Sequence, residues 1–135
     1  MGQSYFTKDV LGEAEAIAFT PQVWERPQVP GITIDGVESR DLDDAIWLTA
    51  QGDGLLLSVH ITDVSEYVSL GSHLDREAMT RTQTRYLKYG NDPMLPHVLS
   101  ENRLSLLEGQ ARPTMTVNIT LDAKAQIESV DIFES

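Results

Sequence analysis

The chain has 135 residues and 41% hydrophobic content, enough for one domain with a core and too apolar for disorder throughout. It contains no cysteine, which excludes disulfides, thiolate metal sites and cysteine nucleophiles. Its 21 acids against 10 bases give a net charge of −11, the opposite of a freestanding nucleic-acid binder. No apolar run approaches the roughly 18–20 residues of a membrane span. The opening MGQSYFTKDV lacks the charged head and apolar stretch of a secretory signal, so a cytoplasmic protein with no membrane partner is expected. The charge is uneven. The only bases among residues 1–75 are Lys8, Arg26 and Arg40, whereas Arg76, Arg81, Arg85 and Lys88 follow closely against Glu77.

Residues 8–19 predict a helix with Thr7 as N-cap and Val10, Leu11, Ala14, Ile17 and Ala18 on one face. Pro21, Pro27 and Pro30 then impose an extended connector, so residues 1–30 read as a helix plus linker. Gly31–Ile34 is a short apolar strand, and Ala45–Thr49 is the next. Gln51-Gly-Asp-Gly54 is a turn, and Leu55–Ile61 is its antiparallel partner. Asp63–Val68 reads as a turn or short helix. Ser72-His-Leu-Asp75 has capping-box character and opens a helix to about Arg85, with Leu74, Ala78 and Met79 inward. Tyr86-Leu87 ends it. Gly90–Pro96 is irregular, and a short helix covers 98–107. Met115–Leu121 and Ile127–Phe133 alternate apolar and polar residues around the turn Asp122-Ala-Lys-Ala125, as a hairpin with one solvated face does. The fold class expected is α+β, a mostly antiparallel sheet with flanking helices.

Between the strands at 31–34 and 45–49 lie Asp35, Asp41, Asp43 and Asp44. Two unit charges about 4 Å apart repel by roughly 1 kcal/mol in water and about 4 kcal/mol at an effective dielectric of 20. Such crowding is tolerated if the carboxylates bind a cation, if one is protonated, or if they splay into water. Gly36 permits a sharp turn that folds Asp41–Asp44 back toward Asp35. The resulting all-oxygen site suits Mg²⁺ or Mn²⁺. Two such ions would clamp an in-line displacement at phosphorus. A solvated acidic loop explains the same residues. An EF-hand does not, because from Asp41 the sixth position is Ile46 and the twelfth Gly52.

The run TIDGVESRDLDDA resembles the signature of the ribonuclease II/ribonuclease R (RNB) family of exoribonucleases. The resemblance continues through LSVHITDVSEYVSLGSHLDREA, with His60–Ser65 and Leu74–Ala78 matching the next block. Tyr86-Leu87, Pro93–Pro96, Leu99-Ser100 and Leu104-Ser105-Leu106 follow in order, so it covers about residues 31–133. It implies metal-dependent 3′→5′ hydrolysis of single-stranded RNA to 5′-mononucleotides. It implies that Asp35, Asp41, Asp43 and Asp44 are the metal and catalytic aspartates, with Asp43 nearest the chemistry. Tyr86 matches a tyrosine that contacts the 3′-terminal nucleotides, where stacking is worth about 1–3 kcal/mol per base. The family's Tyr-Leu-Pro is Tyr86-Leu87-Lys88 here, and Arg103-Leu104 stands near an expected cysteine. The family's catalytic domain is longer. Its later, helical part closes the RNA channel and supplies an arginine and a glutamate, and oligonucleotide-binding barrels flank it. Residues 31–135 are therefore expected to be the front of an RNB domain, inactive alone, whose partners are RNA and those missing parts. A degenerate, non-catalytic RNB-like interaction module and a plain acidic metal-binding domain are the alternatives.

Other residues carry expectations of their own. Arg81, Arg85 and Lys88, spaced along the expected helix beside Tyr86, form a candidate phosphate track. Arg40 offsets carboxylate repulsion or meets phosphate. His60 packs in its strand, Asp63 bonds the following turn, and His73 and His97 are surface or cap residues. Trp24 and Trp47 are packing aromatics.

Overall fold

A computed structural model describes residues 5–19, 24–88 and 90–135. The expected break at Pro21 and the first four residues lie outside these. Helix α1 spans Lys8–Phe19. Strand β1, Asp44–Gln51, pairs antiparallel with β2, Gly54–Thr62. After a 3₁₀ turn at Val64–Glu66 come α2, His73–Arg81, and the small hairpin β3–β4, Arg85–Leu87 with Gly90–Asp92. A π-helical turn at Leu99–Arg103 precedes β5, Thr114–Leu121, and β6, Ile127–Glu134. The main sheet runs β1-β2-β5-β6, all antiparallel, with helices at its flank, so the fold is α+β as expected. Among the described residues no helix is long and apolar enough to cross a membrane.

The helical part has its own core. Val10, Ala14 and Ala18 recur every four residues and make one buried stripe on α1. Their small side chains let α1 lie close on Tyr67, Leu74, Leu95, Leu99 and Leu104. Burying each leucine contributes roughly 1.5–3 kcal/mol. Leu11 is the exception on the expected face, because it points outward. In α2, Leu74 is fully buried whereas Met79 is exposed. Ser72 caps this helix by accepting from the Asp75 amide at 3.2 Å, and the Glu13 carboxylate accepts from the His73 amide at 2.9 Å.

Three segments depart from expectation. The helix opened by Ser72 stops at Arg81, not near Arg85, because Thr82 takes φ = 65° and its amide closes on the Ala78 carbonyl. Residues 85–87 and 90–92 instead form a hairpin, so the start of Gly90–Pro96 is regular. Gly31–Ile34 is a single bridge, Ile32 with Ile46, rather than a strand.

The sheet has one covered and one open face, but their chemistry is the reverse of the usual pattern. Ser58, His60, Thr62, Thr114 and Thr116 are buried. The opposite face carries Ile46, Val59, Val117 and Ile132 in one cross-strand row and Leu48, Leu57, Ile119 and Val130 in the next. Of these, Leu48, Val130 and Ile132 are more than half exposed, as is Ile127 farther along β6. At the turn end, a Cβ on Gly54 would stand 1.9 Å from the Leu121 carbonyl oxygen, so only glycine lets β2 approach β5 there.

Candidate active site

All four aspartates lie on or beside one loop whose neck is pinned. Ile32 and Ile46 exchange both backbone hydrogen bonds, at 3.0 and 2.9 Å. The tip turns at Gly36, whose carbonyl accepts from the Ser39 amide at 2.9 Å. Upstream of the neck, the Pro30 carbonyl meets His60 Nε2 at 3.1 Å, and Gly31 lies against the same ring, where a Cβ would come within 3.0 Å. Within the loop, the Asp43 carbonyl accepts from the Thr62 amide at 2.9 Å, and Asp44 opens β1.

Asp43 carries the electrostatic signature of the group. Protein crowding strips hydration from its carboxyl and raises its pKa, although the residue keeps solvent access. Repulsion from Asp41, Asp44 and Asp35 raises it further. The other three aspartates therefore all act on Asp43. Among the described residues no three His, Asp or Glu side chains stand close enough together to hold an ion. As hard oxygen donors, the four carboxylates are of the type that suits a hard divalent cation.

The loop also meets Tyr86. Its hydroxyl donates to Asp41 Oδ2 at 3.3 Å, while its ring is 71% exposed. Partial desolvation and the adjacent Asp41 charge raise the phenol's pKa, so it keeps its proton. Sequence spacing gave no reason to expect this contact between residues 45 apart.

The expected cationic track is differently built. With α2 ending at Arg81, no helical row reaches Lys88. Asp92, itself buried, receives Arg81 Nη1 at 2.7 Å and also pairs with the Arg85 guanidinium. Arg81 further bonds Glu77 and the Pro93 carbonyl, and its guanidinium lies 3.8 Å from the Phe6 ring centre. Arg81 thus braces the hairpin that carries Tyr86. The Arg85 side chain keeps more solvent access than that of Arg81, and Lys88 and Arg40 are exposed.

His60 does pack, with both nitrogens engaged. A carbonyl can only accept, so Nε2 carries the proton and donates to Pro30. Nδ1 then accepts from Thr116 Oγ1 at 2.8 Å. Burial lowers this histidine's pKa, against a smaller upward effect of the Pro30 bond. The unfolded chain takes up the proton below about pH 6.5 while the fold resists it. Stability is thus full above that value and declines as pH falls through it. Thermal unfolding between pH 7.5 and 5.5 is expected to show this decline, and His60→Gln to flatten it. An equally steep decline in His60→Gln would assign it elsewhere.

Asp63 is bound more tightly than a turn residue. Burial alone would raise its pKa, but the Ser65 hydroxyl at 2.6 Å and the Arg26 guanidinium at 2.9 Å hold it below the usual range. Arg26 also pairs with Glu66 at 2.7 Å. Trp24 donates to Glu66 and meets Tyr67 edge-on, as a packing aromatic should, whereas Trp47 is 39% exposed. His73 starts α2, and His97 pairs with Glu101 at 2.7 Å. A cleft of about 690 Å³ opens beside Arg26, Gly31, His60 and Arg112, and none of the four aspartates lines it.

Sequence reasoning assigned no role to Ser105. This residue is fully buried, and its hydroxyl donates to the Arg40 carbonyl at 2.6 Å and accepts from the Leu42 amide at 3.1 Å. The available signal was a hydroxyl enclosed by Leu104 and Leu106, which must find partners once buried.

Comparison with known proteins gives a consistent picture. Residues 27–135 match the model of the RNB domain. Exoribonuclease 2 of Psychromonas ingrahamii is 42% identical over 106 residues, covering 78% of this chain and 16% of that protein. Ribonuclease R of Mycoplasma genitalium, solved in complex with ribose-methylated single-stranded RNA, superposes with a TM-score of 0.86 at 29% identity, over 98% of this chain and 22% of its own. Yeast Ssd1, described as a pseudonuclease, superposes with a TM-score of 0.65 at 29% identity, over 70% of this chain and 12% of its own. The chain thus spans 16% of the length of its Psychromonas relative.

Proposed function

This chain belongs to the RNB-domain family, and from that premise we propose that it supplies the carboxylate half of a metal-assisted 3′→5′ exoribonuclease site acting on single-stranded RNA. The observation that carries the proposal is that Asp35, Asp41, Asp43 and Asp44 lie on or beside one pinned loop, with Tyr86 bonded to Asp41. The Psychromonas relative is an exoribonuclease and the Mycoplasma structure holds single-stranded RNA, which supports this substrate class.

Asp35, Asp41, Asp43 and Asp44 would hold Mg²⁺ or Mn²⁺. The ions, when bound, supply charge for an in-line displacement at phosphorus and an activated water. The chain's own residues do the rest. The four carboxylates present hard oxygen donors, and their repulsion makes cation binding favourable. Tyr86 offers a ring for the terminal base or ribose. Arg85, Lys88 and Arg40 meet phosphate, while Arg81 acts through Asp92 on the hairpin that carries Tyr86. The open apolar sheet face supports a reading in which more polypeptide, the remainder of the RNB domain and its oligonucleotide-binding barrels, completes the channel. This chain alone is then inactive. A cytoplasmic site of action fits an RNA substrate.

The test is a 5′-labelled single-stranded RNA incubated in Mn²⁺ with a polypeptide carrying this segment and the rest of the domain. Stepwise shortening from the 3′ end with release of 5′-mononucleotides is expected. Intact RNA would favour the second reading, a non-catalytic interaction module, which the likeness to the pseudonuclease Ssd1 supports. Mn²⁺ binding without cleavage would leave a plain acidic metal-binding domain.

A further inference from the structure

Residues 41–43 have no sheet partners, so the backbone around Asp41 is held by groups from elsewhere in the chain. The peptide groups on either side of Asp41 are both taken by one side chain, the Ser105 hydroxyl, which donates to the Arg40 carbonyl and accepts from the Leu42 amide. A hydroxyl is suited to this because it is donor and acceptor at once. The next residue adds a third bond, from the Leu106 amide to the Leu42 carbonyl at 2.9 Å.

The brace is itself anchored. Thr62 Oγ1 donates to the Leu104 carbonyl at 2.8 Å, while the Thr62 amide holds the Asp43 carbonyl. Arg112 Nε lies 3.2 Å from both the Ser105 and Asn102 carbonyls. Leu104 and Ser105 are both buried. The loop is thus gripped at Arg40, Leu42 and Asp43 by groups that contribute no carboxylate.

We propose that Ser105 is a positioning residue that fixes the backbone around Asp41 so that the aspartates can share a divalent cation. This rests on the carboxylate reading above. Residues that orient metal ligands typically change affinity 10- to 100-fold when removed. Ser105→Ala in the full chain should therefore weaken Mn²⁺ binding by about tenfold, read as free Mn²⁺ by electron paramagnetic resonance. Ser58→Ala removes another buried hydroxyl, bonded to Asn118 in the sheet, and should leave Mn²⁺ affinity unchanged. Equal Mn²⁺ affinity in wild type and Ser105→Ala would overturn the proposal, as would an equal loss in Ser58→Ala. A wild-type chain that binds no Mn²⁺ would instead overturn the carboxylate reading and leave Ser105 nothing to aim. Should Ser105→Ala fail to fold, amide exchange in the wild type decides. Protected Leu42 and Leu106 amides support the brace, and exchange at the open-loop rate overturns it.

Discussion

Asp43→Asn, in a polypeptide carrying this segment with the rest of an RNB domain, is expected to slow nucleotide release from single-stranded RNA by about 10³-fold or more. At about 1.4 kcal/mol per decade, that is about 4 kcal/mol of transition-state stabilisation. One preorganised electrostatic group is worth roughly that much in other enzymes. Asparagine keeps the size of the side chain and loses its charge. The substitution also removes the focus of repulsion from Asp41, Asp44 and Asp35, so the metal-free unfolding temperature should not fall. RNA binding through Tyr86 and the cations should persist. Single-turnover kinetics and thermal unfolding on one preparation separate the two effects. A wild-type rate would remove Asp43 from the chemistry, and a lost rate with a lowered unfolding temperature would make its role structural.

The second large effect concerns the open sheet face. The 135-residue chain alone is expected to self-associate and to bind a hydrophobic dye, because Leu48, Ile127, Val130 and Ile132 stand more than half exposed on one face. The strand bearing three of them, β6, is also an edge of the sheet, with free backbone groups along one side. Lysines at Val130 and Ile132 address both features. The double variant should sediment as a monomer at concentrations where the wild type does not, with dye fluorescence reduced several-fold. Neither form should shorten RNA. A wild type that remains monomeric and dye-silent would show that this face needs no covering partner.

Local signals carried most of the fold into the sequence. The stripe at Val10, Ala14 and Ala18 gave α1, and alternation with the Gly52–Gly54 turn gave β1 and β2. Alternation could not say which face is covered. That depends on what packs against it, and here the 27–34 and 104–113 segments meet the polar side. The end of α2 was hidden for a similar reason. Arg81 and Arg85 look like one helical row until Asp92 takes both, and that carboxylate lies eleven residues from Arg81. The aspartates were legible because their crowding is a local oddity. The bonds from Asp41 to Tyr86 and from the loop backbone to Ser105 were not, because both partners lie far along the chain.

The bridge between Ile32 and Ile46 has a consequence for how the site assembles. It joins residues close in sequence, whereas Ser105 reaches Leu42 across 63 residues. Closing the longer loop carries the larger entropic cost, and contacts of high sequence separation form slowly. On a growing chain the bridge can close once β1 exists, but the brace awaits the chain through Arg112. The acidic loop is therefore gathered early and aimed late, and its maturation reports completion of the surrounding fold.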